Sequence, residues 1–141
     1  MGPGTFLPVR VENIEKHSME KEQYLLPYST LMRIRESKKN GYRIIAVGTT
    51  TTRVLESCAS IILGGKDTPS RDTLCNTDLF IYPGYQFKIV EALITNFHLP
   101  KSTLLMLVCA FSGYDLGMNA YHLALKKNFR FYSYGDSMLI K

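Results

Sequence analysis

Eight consecutive residues, Leu104 to Phe111 (LLMLVCAF), carry no charge and no strong hydrogen-bonding side chain. A helix built of such residues is apolar around its whole circumference, so it must be surrounded by protein rather than laid on a surface. Its start is marked by Pro100-Lys101-Ser102-Thr103, with Ser102 or Thr103 as the predicted N-cap. Upstream, the apolar run Ile89 to Ile94 leads into Thr95-Asn96 and then Phe97-His98-Leu99-Pro100. The polar cluster therefore falls beside the positive N-terminal end of a buried helix, where an anionic or electron-rich group is favoured. Further upstream, Leu79-Phe80-Ile81-Tyr82 is β-rich and stops at the turn signal Pro83-Gly84.

A second unit of the same kind lies earlier. Arg43 to Val47 is an apolar run between Gly41 and Gly48, the pattern of a central strand covered on both faces. The threonine-rich turn Gly48-Thr49-Thr50-Thr51-Thr52-Arg53 then opens a helix predicted from about Thr50 to Ala59. Thr51 and Thr52 are read as helix capping, and the turn lacks the lysine of a phosphate-binding P-loop. Before it, Ser29 is predicted to cap a helix ending near Asn40, with Leu31, Met32 and Ile34 inward and Gly41 as its stop. Lys38 and Lys39 in its last turn complement the helix dipole.

The remaining segments read more plainly. Gly4 to Glu12 alternates as a strand, and Ser60 to Thr77 is polar and glycine-containing, as in an exposed loop. Gly113 to Gly117 reads as a connector, Met118 to Lys127 as a helix, and Phe129 to Ser133 as a strand. Helix, strand, glycine turn and helix in succession indicate an α/β fold, a central sheet flanked by helices. The 141 residues suffice for a single α/β domain, 1–141, and ligands in such sheets bind beyond the carboxyl ends of strands.

Several function classes are disfavoured. Cys58, Cys75 and Cys109 are odd in number and widely spaced, which points to reduced thiols in a cytoplasmic compartment rather than a disulfide frame. His17, His98 and His122 are equally scattered, so no metal is expected. No apolar run reaches the roughly 18 residues of a membrane span. The net charge of +5 suits either a mildly basic soluble protein or a polyanion partner, and charge alone does not choose.

Five ordered blocks resemble one family. They are Gly4-Thr5-Phe6 with Pro8-Val9; Ala46-Val47-Gly48-Thr49-Thr50 with Arg53 and Leu55-Glu56-Ser57; Ile81-Tyr82-Pro83-Gly84-Tyr85; Leu93 through Met106; and Ser133 through Ile140. The family is the S-adenosylmethionine:tRNA ribosyltransferase-isomerase of queuosine biosynthesis. The resemblance implies transfer and isomerisation of the ribosyl part of S-adenosylmethionine onto the 7-aminomethyl-7-deazaguanine at the tRNA wobble position. Epoxyqueuosine forms, and adenine and methionine leave. It implies no cofactor, S-adenosylmethionine being a substrate, because the sulfonium acidifies the adjacent C–H and supplies a leaving group. The implied partners are S-adenosylmethionine and the tRNA carrying the deazaguanine precursor, with no membrane. The resemblance covers the C-terminal part of the family protein, less than half of it. It thus implies an incomplete α/β domain lacking the family's N-terminal strands and inserted β-barrel domain. Such a chain is expected to be inactive alone. The family enzyme is expected to be monomeric, with an exposed sheet edge in this chain open to pairing with another copy.

The chemistry needs a base near the ribose carbon next to sulfur, an acid for adenine, and a pocket for the methionine end. His98 is the candidate proton shuttle, or else a hydrogen-bonded structural histidine between Phe97 and Leu99. The positive helix end and Lys101 are expected to keep it neutral at pH 7. Asp136 and Glu56 are candidates for the base or for a sulfonium partner; both equally suit capping or pairing with Arg53. The family match extends substrate binding to Thr5, Phe6, Thr49, Thr50, Arg53, Pro83, Gly84 and Thr95. Tyr82, Tyr85 and Tyr134 suit stacking on adenine or deazaguanine, or membership of the core. Asn96, Lys101 and Ser102 suit a carboxylate or phosphate at the helix end. The competing reading is a catalytically silent S-adenosylmethionine- or RNA-binding module on the same scaffold.

Overall fold

In the computed structural model, which describes residues 19–65 and 69–141, two short parallel strands set the frame. Strand β2 (Ile45–Val47) pairs in parallel with β4 (Ala92–Asn96), and β5 (Ser137–Ile140) adds antiparallel to the other edge of β4. Each parallel strand runs straight into a helix: β2 into α2 (Thr49–Ser57), and β4, through residues 97–102, into α4 (Thr103–Ser112). Both helix N-termini are thereby delivered to the same end of the sheet. A second, two-stranded sheet pairs β1 (Glu22–Leu26) antiparallel with β3 (Thr73–Thr77). Helices α1 (Tyr28–Lys39), α3 (Ala59–Ile62) and α5 (Tyr114–Lys126) complete the mixed α/β arrangement expected from the sequence.

The apolar helix is buried as predicted, and the reason is that it has a core on each side. Leu107 packs in a cluster with Leu31, Ala46, Leu55, Ile89 and Leu93. Leu105, Val108 and Cys109 pack in another, with Phe97, Tyr121 and Ala124. Phe97 is the hub of an aromatic group in that second cluster, with its ring 5.2 Å from Tyr121 and 5.1 Å from Phe131. Ser102 is the N-cap, its Oγ accepting from the Leu105 N–H at 3.1 Å, an interaction worth about 1 kcal/mol.

Several expectations are corrected. The Arg43–Val47 run is not a strand covered on both faces. Only Ala46 is buried, while Ile45 and Val47 are 50% and 65% exposed, because among the described residues β2 has one neighbour, β4. The central strand is β4. Leu79–Tyr82 joins no ladder; the Leu79 carbonyl accepts instead from Arg53 Nε at 3.0 Å. The segment read as an exposed loop, Ser60–Thr77, contains most of α3 and all of β3, whose five residues find their partners in β1, far away in sequence. Ser29 does not cap α1: position N-cap is Pro27, and the Tyr28 N–H is taken by Asp72 Oδ1 at 2.8 Å. Met32, expected inward, is 42% exposed.

The C-terminal third differs as well. The connector expected over Gly113–Gly117 shrinks to Gly113 alone (φ 81°), after which α5 begins. Gly117 lies inside the helix because α4 approaches closely there: a Cβ on it would meet Ser112 Oγ at 2.7 Å. The strand expected at Phe129–Ser133 is absent, since Asn128 (φ 59°) and Tyr132 (φ 71°) turn the backbone out of the extended region, and the strand comes later as β5. The predicted strand at Gly4–Glu12 lies outside the described residues.

Candidate active site

The parallel strands end side by side at Val47 and Asn96, and beyond them lies a cavity of about 270 Å³. Its walls are the α2 entry (Val47, Gly48, Thr49, Thr50, Thr51), the β4–α4 connection (Thr95 to Leu99, Ser102, Leu104) and the turn bearing Tyr132 and Ser133. This is the carboxyl end of adjacent parallel strands, where open α/β sheets bind ligands. Gly48 makes the entry possible. It holds φ 91° and ψ 147°, a conformation essentially closed to other residues, and its N–H donates to the Ile94 carbonyl at 2.8 Å.

His98 supplies the imidazole of this wall. Its Nε2 is 2.9 Å from Thr95 Oγ1, and its backbone N–H donates to the Tyr121 hydroxyl at 3.0 Å. Burial pushes the imidazole pKa down from 6.5 to about 4, so the ring is neutral at pH 7. The neutrality expected from the sequence is present, but its cause is desolvation, not the helix end or Lys101. Asn96 ties the C-terminal turn to β4, its Nδ2 donating to the Gly135 and Asp136 carbonyls at 3.3 and 3.2 Å. The Tyr132 N–H donates to the Phe97 carbonyl at 3.0 Å and closes the same wall.

The structure thus brings together Thr49, Thr50, Thr95, Asn96, His98 and Ser102 from the predicted set. The other described ones do not line the cavity. Glu56 is buried and accepts four hydrogen bonds, from the N–H groups of Lys88 (2.9 Å), Ile89 (3.0 Å) and Val90 (2.9 Å) and from the Tyr85 hydroxyl (3.2 Å). Burial and then the Glu56 charge raise the Tyr85 hydroxyl to about 12. Arg53 is buried in an ion pair with Glu22, Nη1 to Oε2 at 2.9 Å. Pro83 and Gly84 form the turn between Tyr82 and Tyr85, whose N–H donates to the Tyr82 carbonyl at 3.0 Å, and Tyr82 packs on Phe80 at 5.1 Å. Asp136 accepts from the Arg130 N–H at 2.7 Å, which holds its carboxyl below the usual range. Lys101 is exposed, and Tyr134 is 99% exposed. Thr5 and Phe6 lie outside the described residues.

Sequence reasoning missed the roles of Tyr121, Tyr132 and Ser133. Tyr121 falls on α5, where a buried tyrosine needs a partner for its hydroxyl, and that requirement is a usable signal. Among the described residues, no group of three or more His, Cys, Asp or Glu is placed to hold a metal ion.

A model of the family described as queuosine biosynthesis protein matches residues 1–140. The chain belongs to that family. It is 52% identical over 140 residues to the S-adenosylmethionine:tRNA ribosyltransferase-isomerase of Thermotoga maritima, covering 99% of this chain and 40% of that protein. The enzyme of the same name from Halothermothrix orenii is 53% identical over 140 residues, again at 99% and 40%. The crystal structure of S-adenosylmethionine tRNA ribosyltransferase from Thermotoga maritima matches with a TM-score of 0.75 and 51% identity, over 84% of this chain and 40% of that one. The chain therefore spans about two fifths of the length of the relatives it matches. No helix among the described residues is long and apolar enough to cross a membrane.

Proposed function

We propose that this chain carries part of the catalytic site of an S-adenosylmethionine:tRNA ribosyltransferase-isomerase of the cytoplasm. As part of a full-length enzyme it moves the ribosyl group of S-adenosylmethionine onto the 7-aminomethyl-7-deazaguanine of tRNA, isomerises it to the epoxycyclopentane, and releases adenine and methionine. The observation that carries this reading is the overlap of two independent findings. The cavity at the strand ends is lined by the Gly48-Thr49-Thr50 and Thr95–Ser102 segments, and the chain is about half identical to enzymes of that name over nearly its whole length. His98 is the residue we assign to proton transfer. The imidazole beside the cavity is unprotonated at pH 7 and so offers a nitrogen to accept a proton; burial makes it a weak base, so the step relies on the cationic sulfonium substrate having made the neighbouring C–H acidic. Among the described residues β2 has one edge without a partner strand, and with Ile45 and Val47 exposed that edge suits pairing with a further strand, either from the rest of a longer enzyme or from a second copy.

The test is a chimera in which these 141 residues replace the matching segment of the Thermotoga maritima relative. Adenine release and epoxyqueuosine in the tRNA are read by mass spectrometry under single-turnover conditions. The chimera is expected to turn over, and His98→Asn to slow the chemical step about 10²–10⁴-fold while leaving the melting temperature near that of the parent. A folded His98→Asn chimera within about threefold of the parent rate would end the catalytic assignment. An inactive chimera that still binds S-adenosylmethionine would favour the silent binding module.

A further inference from the structure

The two helices that point at the cavity do not end alike. At α4 the Ser102 side chain occupies the Leu105 N–H, so that end supplies its own oxygen acceptor. At α2 the N-cap is Gly48, which has no side chain to offer. The Gly48 N–H is spent on Ile94, and the first helical bond is Thr52 N–H to the Gly48 carbonyl at 3.1 Å. Among the described residues, the N–H groups of Thr49, Thr50 and Thr51 have no acceptor. Beside them stands a second, separate feature. Thr49 is 94% buried, being 6% exposed, and lines the cavity, yet its hydroxyl makes no hydrogen bond among the described residues. Its neighbour Thr52 shows the ordinary alternative, with Oγ1 turned back on the Gly48 carbonyl at 3.1 Å.

The Thr49 hydroxyl and the uncapped amides of the first turn keep access to the cavity, from which their hydrogen-bond partners must come. Together they form a concave set of donors at the positive end of a helix dipole, with no acidic side chain lining the cavity. Uncapped N–H groups at a helix N-terminus, with a hydroxyl able to donate beside them and no carboxylate on the lining, favour an acceptor that carries negative charge. We infer that the first turn of α2, with the Thr49 hydroxyl, is an oxyanion-binding subsite that receives a singly charged oxygen pair. A carboxylate and a phosphodiester share that chemistry. If the proposed function holds, the carboxylate is that of the amino-acid end of S-adenosylmethionine and the phosphodiester is one flanking the modified nucleotide. The subsite itself does not depend on that reading.

The experiment follows the backbone amide signals of the isotopically labelled 141-residue chain at constant ionic strength. The probes are inorganic phosphate, S-adenosylmethionine, decarboxylated S-adenosylmethionine and an anticodon stem-loop RNA, with chloride as control. The subsite predicts saturable shifts at Thr49, Thr50 and Thr51 with at least one of the three oxyanion probes and none with chloride. If S-adenosylmethionine moves these amides and its decarboxylated form moves only the rest of the cavity, the carboxylate is the occupant. If the stem-loop moves them and S-adenosylmethionine does not, the occupant is a phosphodiester. Thr49→Val keeps the side-chain shape and should weaken the binding about tenfold or more, as expected for a lost hydrogen bond to a charged group, whereas Thr49→Ser should restore it. Shifts with phosphate alone would keep the subsite and count against the substrates proposed above. No saturable shift from any oxyanion, or equal affinity in a folded Thr49→Val chain, overturns the subsite.

Discussion

At the first turn of α2, Thr49, Thr50 and Thr51 face a cavity with their N–H groups uncommitted; at its last turn, Glu56 is buried under four hydrogen bonds. Both ends lie within one sequence block, and from the sequence both qualified as site. Only the distribution of partners separates them. A group whose hydrogen-bonding capacity is filled by the chain's own backbone is holding that backbone in place, while one left open toward a cavity is available to a ligand. Glu56 fixes residues 88–90 immediately before β4 and so sets where that strand begins. Arg53, between the two ends, does the same for β1 and the Leu79 segment through Glu22 and the Leu79 carbonyl.

The largest effect that would sharpen this contrast belongs to Glu56. Glu56→Ala strands three backbone N–H groups and the Tyr85 hydroxyl, and should cost about 3–5 kcal/mol of unfolding free energy. Denaturant unfolding reads it, and a loss below about 1 kcal/mol would break the contrast by showing that the network is not structural.

A smaller effect comes from the cavity side. The folded pKa of His98 is about 4, below the ordinary 6.5, so the unfolded chain binds a proton that the folded chain resists. This contribution is fully present above pH 6.5, and it is lost as the pH falls from there toward 4. It amounts to something on the order of 3 kcal/mol. The difference in stability between the parent and His98→Gln, followed across that window, isolates it from the carboxylates. A pH-independent difference would mean that the imidazole is not desolvated.

The smallest expected change concerns the residue that opens α2, Gly48. Nothing lies within 4 Å of a Cβ built on Gly48, so Gly48→Ala meets no clash and costs only the backbone strain at φ 91°, about 1–3 kcal/mol. Its amide signals at Thr49–Thr51 should move more than its melting temperature does. The reverse would place the glycine's role in packing.

The α4 segment was legible because everything that determines it is local: an apolar run, a proline, and a serine whose hydroxyl reaches three residues on. The β3 strand was not, since Thr73–Thr77 has the composition of a loop and becomes a strand only by pairing with Glu22–Leu26, which local pattern cannot reveal. The site divides along the same line. His98, Thr95 and Asn96 fall within a few residues of one another, so the motif brought them together before any fold was known. The true partners of Glu56 are backbone amides 32 to 34 residues away, and backbone amides leave no mark in a sequence.

The helix with a core on each side has one more consequence. Because Leu107 serves one cluster while Leu105, Val108 and Cys109 serve the other, neither cluster can come apart without stripping a flank of the helix that the other relies on. The two therefore share a single fate on denaturation, and a defect introduced around Phe97 is felt as lost stability at the Glu56 end.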